Sequence, residues 1–400
     1  MRILLAHNYY GSAAPSGENM VFDIEGDLLR RRGHEVSEFT RHSDEIRCKG
    51  VLGLVQGALS TPWNPWAARA MRERVEQFRP DVVHAHNTFP LLSPSIFHAI
   101  GNRAVRVLTL HNHRLFCAAG VLGRTGRVCT ECLDKQSILP SLKYGCYRDS
   151  RIATAPLAAN IALHGMLGTW NHEVEAFIAL TEFQKKLLVG AGLPEERVYV
   201  KPNFFVGSPQ PIPWNARDEA VVFAGRLSTE KGVESLINAW LAWNENAPEL
   251  QIIGDGPLGR KLADLVQTRG NTRIRFLGWL SESETQHHIA RARLLVVPSV
   301  WFEGFPMVLR EAFAFGTPVA VSDIGPLPSI VRDGISGLVF TAGNADSLLG
   351  AVRTSWKSGN LEQLGRGARA EFEVKYNEEV NYKMLMDIYA RAEVSRRSRH

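Results

Sequence analysis

The chain has 400 residues, 45% of them hydrophobic, which suits two domains with cores of their own. A formal net charge of +5 is too slight a basic excess to indicate nucleic acid, and no aromatic-and-basic nucleic-acid motif stands out. No run approaches the roughly 18–20 apolar residues of a membrane span, and the short apolar start reads as a strand, so a cytoplasmic protein is expected.

The first element is that strand, MRILLAHN. Ser16, Gly17 and Glu18 follow in a turn, ahead of an amphipathic helix. Val51 to Phe78 joins an apolar stretch to Trp63, Trp66 and a run of arginines. Trp beside Arg is an interfacial pattern; the competing reading is a helical hairpin packed on the N-terminal domain. Two further strands are read at DVVHAHN (Asp81 to Asn87) and VRVLTL (Val105 to Leu110), the second ending in His111, Asn112 and His113. A His at the C-terminal end of a parallel strand lies where open α/β sheets bind ligands. His111 is the candidate, with His84, His86 and His113 as rivals.

Four of the five cysteines come next, Cys117, Cys129, Cys132 and Cys146, spaced C-x11-C-x2-C-x13-C. A cytosolic setting argues against disulfides. A Cys-x2-Cys centre with one outlying Cys on each side can make a tetrahedral thiolate site for structural zinc, which would order a glycine-rich segment with little apolar pattern. Four reduced thiols are the main alternative; a redox pair or an iron–sulfur cluster is the lesser one.

The proline-rich stretch from Lys201 to Asp218 lacks helical period and reads as a linker. The divisions expected are an N-terminal domain over 1–200 with a cysteine-rich insert at 113–150, a linker at 201–217, a second domain over 218–376 and a closing helical segment at 377–400. Glycine turns between short apolar strands and longer amphipathic segments argue repeated βαβ units.

In the second domain, VVFAGRLSTEKG places Arg226 and Lys231 after a strand and a glycine. Arg offers a rigid fork and Lys a mobile point charge, a combination that suits a diphosphate; the plainer reading is a pair of surface cations. LQIIGDGP is a second strand–turn unit, weak by itself. RARLLVVPS then reads as a buried parallel strand leading into WFEGFPMVLRE. Here Glu303 falls in a glycine-containing turn, Pro306 at the expected first helical position, and Glu311 inside the helix. Strand, tight turn and helix start is a geometry that binds phosphate. Either carboxylate read alone is an ordinary helix residue.

Taken together, GRL…EKG, GDGP and PS..FEGFPMVLREA resemble the retaining glycosyltransferases of family 4, over nearly the whole chain. The resemblance implies the α/β GT-B fold: two Rossmann-like, doubly wound domains facing across a cleft, with the last helix crossing back to the N-terminal domain. It implies that Arg226 and Lys231 bind the diphosphate of a nucleotide-diphosphate sugar. Glu303 would contact the donor sugar and Glu311 the ribose, while the backbone of Gly304, Phe305, Met307 and Val308 cradles phosphate and sugar. Gly17 and His111 would meet the donor from the other domain. Members usually have two glycines where this chain has Ser16 and Gly17, and many carry a Glu near Ser329, which this chain lacks. Some carry a cysteine-bearing insert after the His strand.

No Asp-x-Asp pair occurs in the chain, so Arg226, Lys231 and the helix start would neutralise the leaving group without a catalytic metal or cofactor. The expected activity is retaining hexosyl transfer to a hydroxyl of a saccharide or lipid-linked acceptor, in cell-envelope polysaccharide synthesis, with peripheral contact at the inner membrane. The rivals are a nucleotide-sugar epimerase on the same fold, a glycogen-type phosphorylase and a non-catalytic binding module.

Overall fold

The computed structural model describes residues 1–11, 16–243 and 247–398. They form two units. The first comprises Met1–Leu122, Cys129–Pro202 and Asn381–His400; the second comprises Gly123–Val128 and Asn203–Val380. The proline-rich stretch from Asn203 onward thus groups with the second unit, as does a small hairpin from the cysteine-rich insert.

The first unit is built on strands β1 (Arg2–Tyr9), β2 (Glu35–His42), β3 (Val82–Asn87) and β4 (Val105–Leu110), with β7 (Ala176–Ala179) and β8 (Val198–Val200) completing the sheet. Its order is β2-β1-β3-β4-β7-β8, all parallel. Every residue of β3 and β4 is buried, because helices cover both faces of a parallel sheet. Ile3, Leu5, Val82 and Val105 pack against Phe22 and Leu29 of the helix Gly17–Arg31. The same core holds Leu385, Ile388, Tyr389 and Ala392 of the last helix, Glu378–Ser398. Hydrogen bonds add to that apolar contact: Asn381 Nδ2 donates to the Pro202 carbonyl over 2.6 Å, and the Tyr389 hydroxyl lies 2.8 Å from His84 Nδ1.

Between β4 and β7 lies the insert, with the hairpin β5 (Gly123–Arg124) and β6 (Arg127–Val128) and two short helices, Glu131–Asp134 and Leu139–Tyr144.

The second unit repeats the architecture. Strands β9 (Asp218–Ala224), β10 (Glu249–Ile253), β11 (Ile274–Gly278), β12 (Ala292–Val297), β13 (Val319–Ser322) and β14 (Gly337–Phe340) form a parallel sheet in the order β11-β10-β9-β12-β13-β14. The chain starts in the middle, builds outward to β11, then returns to the other side of β9. This reversal puts a topological switch point between β9 and β12, where open α/β sheets bind ligands at their C-terminal edges. In the first unit the reversal falls between β1 and β3.

Candidate active site

At the second switch point, the loop after β9 carries Arg226 and Lys231 and the loop after β12 carries Glu303. Lys231 Nζ lies 2.7 and 3.0 Å from the two oxygens of Glu303. Ser299, which the sequence reading passed over, donates its hydroxyl to Glu303 Oε1 over 2.5 Å. Both charged groups are partly exposed, so the pair is open to a ligand. Arg226 is exposed nearby in sequence.

Glycines set this approach. Gly232 has φ 68°, and a Cβ there would stand 1.8 Å from the Pro298 carbonyl oxygen. Only glycine lets the Lys231 turn lie against the strand that leads to Glu303. The amide of Val300 donates to the Glu230 carbonyl over 2.9 Å and pins the two loops together. The GDGP turn finds its reason in the same crowding: a Cβ on Gly254 would stand 2.0 Å from the Gly225 carbonyl oxygen, and one on Gly256 2.5 Å from that of Leu227.

The helix after Glu303 spans Met307–Ala314, with Pro306 as its N-cap. The sequence reading put Pro306 inside the first turn. Its ψ of 120° is extended, so the helix begins one residue later. The start of this helix is still left with backbone amides available to an anion. Phe305 is buried, and Gly304, Met307 and Val308 are partly exposed around that start. Glu311, two-thirds of the way along, is only 5% exposed. Burial pushes its carboxyl up to about 7, against the pull of Arg310.

In the first unit, Ser16 caps the helix Gly17–Arg31 by accepting from the Glu18 amide over 3.3 Å, which gives the departure from a second glycine a structural use. The residues before it, from Ser12 to Pro15, lie outside the described residues. Glu18 is buried beside Gly17. Burial pushes its carboxyl up to about 8, opposed by Arg114 and by hydrogen bonds from Asn112 and Tyr10.

His111 stands just beyond β4, partly exposed. A cavity of about 60 Å³ is bordered by His86, Asn87, His111, Asn112 and Arg114. The rival histidines are placed differently. His84 and His86 lie in β3, fully buried behind His111. His113 is 3% exposed, and burial lowers its ring to about 4.

The four thiols of the insert share one neighbourhood. Burial raises Cys132 to about 11, and Cys117, Cys146 and Cys129 each add to that rise. None of the five cysteines forms a disulfide. Among the described residues, Glu25, His84 and His86 also come close enough together to share an ion, a group that the sequence reading did not assemble. Glu25 had a signal: it sits in the buried stripe Val21, Phe22, Leu28 and Leu29 of an amphipathic helix, where an apolar residue belongs.

Known family models match both halves of the chain. A model described as "Glycosyltransferase Family 4" matches residues 25–205, and one described as "Glycosyl transferases group 1" matches residues 208–370. The chain belongs to the family 4, group 1 glycosyltransferases. It is 33% identical over 187 residues to an uncharacterized glycosyltransferase of Methanocaldococcus jannaschii, covering 44% of this chain and 47% of that one. It is 26% identical to the phosphatidyl-myo-inositol mannosyltransferase of Mycobacterium leprae over 60% of this chain and 68% of that protein. The chain thus spans about half the length of the curated relatives it matches. Its fold is that of the crystal structure of Anabaena Alr3699/HepE in complex with UDP, with a TM-score of 0.69 at 18% identity, covering 98% of this chain and 100% of that one. This is the GT-B architecture.

A buried carboxyl raised in the folded state loses stability as pH climbs. The unfolded chain releases that proton in the ordinary carboxylate range, while folded Glu311 keeps it to about 7. Glu311→Gln is therefore expected to raise the melting temperature at pH 8 and leave it unchanged near pH 4.5. A variant equally stabilised at both pH values would contradict this assignment.

Proposed function

We propose that this family 4 protein is a retaining, metal-independent glycosyltransferase that moves a hexose from a nucleotide-diphosphate sugar to an acceptor hydroxyl. The observation that carries the reading is the Lys231–Glu303 pair at a switch point, 2.7 Å apart. A carboxylate that opposes phosphate binding by itself is neutralised there, and is left to hold sugar hydroxyls. UDP in the complex of a structural neighbour supports a nucleotide donor.

In this reading Arg226 and Lys231 bind the diphosphate and stabilise charge where it develops in the transition state. Glu311 holds the ribose, and the backbone of Gly304 to Val308 holds phosphate and sugar. The acceptor oxygen bonds to the anomeric carbon on the face from which the diphosphate leaves. The acceptor proton passes to the departing phosphate oxygen, so no protein nucleophile is needed. The donor base, the sugar and the linkage lie outside this reading.

The acceptor we propose is lipid-linked or a growing envelope polysaccharide, met at the inner face of a membrane. The helix Gly50–Ser60 supports this, because its amphipathicity is inverted. Gly53, Gly57 and Ser60 face the protein, while Leu52 and Leu59 are 80% and 73% exposed. A Cβ on Gly53 would stand 2.0 Å from the Ile46 carbonyl oxygen, so the small face is fixed inward. Ile152 and Trp66 are exposed apolar residues too, and the exposed Arg47, Lys49, Arg69 and Arg151 neighbour these residues in sequence, Arg47 and Arg69 paired with Asp44 and Glu73. Exposed apolar side chains with cations nearby in the chain suit an anionic bilayer surface. No helix among the described residues is long and apolar enough to cross a membrane.

Zinc on Cys117, Cys129, Cys132 and Cys146 is proposed for the insert alone. It would draw the thiols together and take no part in transfer.

Three experiments test these proposals. Purified protein with EDTA, a panel of nucleotide sugars and a membrane lipid extract is expected to release nucleotide from one donor only when extract is present. Arg226→Ala and Lys231→Ala should each lower that rate by about 10²–10³. An altered sugar released without acceptor would establish an epimerase instead, and tight binding without turnover a binding module. In co-sedimentation with anionic vesicles, Leu52→Glu together with Leu59→Glu should abolish binding at unchanged melting temperature; equal binding by the variant would refute the membrane face. Elemental analysis should find one zinc per chain, lost in Cys129→Ser with Cys132→Ser, and a metal-free wild-type protein would refute the zinc site.

A further inference from the structure

Behind His111 lies a chain of buried polar contacts that crosses the first sheet. His86 Nδ1 is 3.1 Å from His111 Nε2, and His86 Nε2 is 3.1 Å from Glu25 Oε1. Lys201 donates from Nζ to Glu25 Oε2 over 2.7 Å. His84 completes the group, with Nδ1 2.8 Å from the Tyr389 hydroxyl and 3.2 Å from Glu25 Oε1, and Nε2 2.7 Å from Thr109 Oγ1. His86 is 2% exposed, and Glu25, His84 and Lys201 are no more exposed than that.

Glu25, His84 and His86 stand close enough for one ion. Lys201 already supplies the positive charge, and both nitrogens of His84 have partners, so metal has no role to fill. The internal ion pair instead determines where protons sit. Glu25 is held ionised: burial opposes its charge, but Lys201 and the hydrogen bonds of His84 and His86 outweigh that and keep it well below the usual range. Burial keeps the His111 ring neutral, and burial lowers His84 to about 4. A carboxylate can only accept, so His86 carries a hydrogen on Nε2 and donates it to Glu25. Glu25 and Lys201 already cancel, and a second buried positive charge would be uncompensated. With its hydrogen on Nε2, the His86 imidazole presents Nδ1 to His111 as an acceptor.

We propose that His86 is a positioning residue for His111: its Nδ1 accepts the Nε2 hydrogen of His111, which leaves His111 Nδ1 as a hydrogen-bond acceptor for a sugar hydroxyl. The hydroxyl would donate to His111 and keep its oxygen lone pairs for other partners. The sequence pattern His-Ala-His on β3 with Glu25 on the covering helix thus acts through His111. The inference rests on the reading of His111 as a sugar contact.

The test is two-bond ¹H–¹⁵N correlation of histidine-labelled full-length protein at pH 8, with the His111 signal assigned by its loss in His111→Asn. The wild-type ring is expected to be protonated on Nε2. In His86→Phe, which cannot accept, the preference should be lost and kcat should fall about tenfold or more with nucleotide Kd unchanged. His86→Gln can accept from His111 and donate to Glu25, and should restore both. A wild-type His111 protonated on Nδ1 would overturn the inference even where the Phe variant fails to fold, and so would an unchanged His111 spectrum in a folded His86→Phe. The wild-type spectrum needs no donor. A protein with the Nε2–H tautomer that transfers nothing would count against the transferase reading and for the His86 contact.

Discussion

The polarity of the parallel strands is the constraint on which the rest depends. In a parallel sheet every strand ends at the same edge, so the loops that follow the strands gather there whatever their separation in sequence. Arg226 and Lys231 follow β9, the GDGP turn follows β10 and Glu303 follows β12. Seventy-two residues separate Lys231 from Glu303, yet their charged atoms meet at 2.7 Å. The first unit obeys the same rule with β1, β3 and β4, which deliver Gly17, Asn87 and His111 to one edge.

Buried charge is treated differently in the two units. In the second, Lys231 and Glu303 pair closely but are partly exposed and within reach of solvent. In the first, Lys201 and Glu25 are sealed from water and matched within the protein. Taking such a pair out of water is costly, and hydrogen bonds from His84 and His86 offset part of that cost. The outcome is a fixed direction for the hydrogen bonds that run out to His111. The last helix is part of this system, since Asn381 lies 3.1 Å from Lys201 Nζ and Tyr389 meets His84.

The helix Gly50–Ser60 shows how one pattern supports opposite outcomes. Its apolar residues read as a core face, but glycines occupy the side that touches the protein and the large aliphatics point out. A helix must bring its small face to a close neighbour, and Gly53 against the Ile46 carbonyl leaves no room for the reverse. The tryptophans divide: Trp63 stacks on His164, while Trp66 stays exposed.

The sequence by itself determined the repeated parallel units and the glycine turns that carry charge at the strand ends. Short runs rich in apolar residues, such as VVHAHN, VRVLTL and ARLLVV, read as strands covered on both faces, and Arg226, Lys231 and Glu303 stood out as charges in glycine turns, with Glu311 inside a helix. Local backbone geometry shifted one reading, moving Pro306 from the first turn to the cap. Only the tertiary structure decided which charges are partners. Lys231 at Glu303, Lys201 at Glu25 and His86 behind His111 are contacts between loops and strands separated in the chain, fixed by sheet order and register, to which no local pattern corresponds. The cysteines mark the same boundary: their spacing named a set of thiols, but the distances between sulfurs depend on how the insert folds around them.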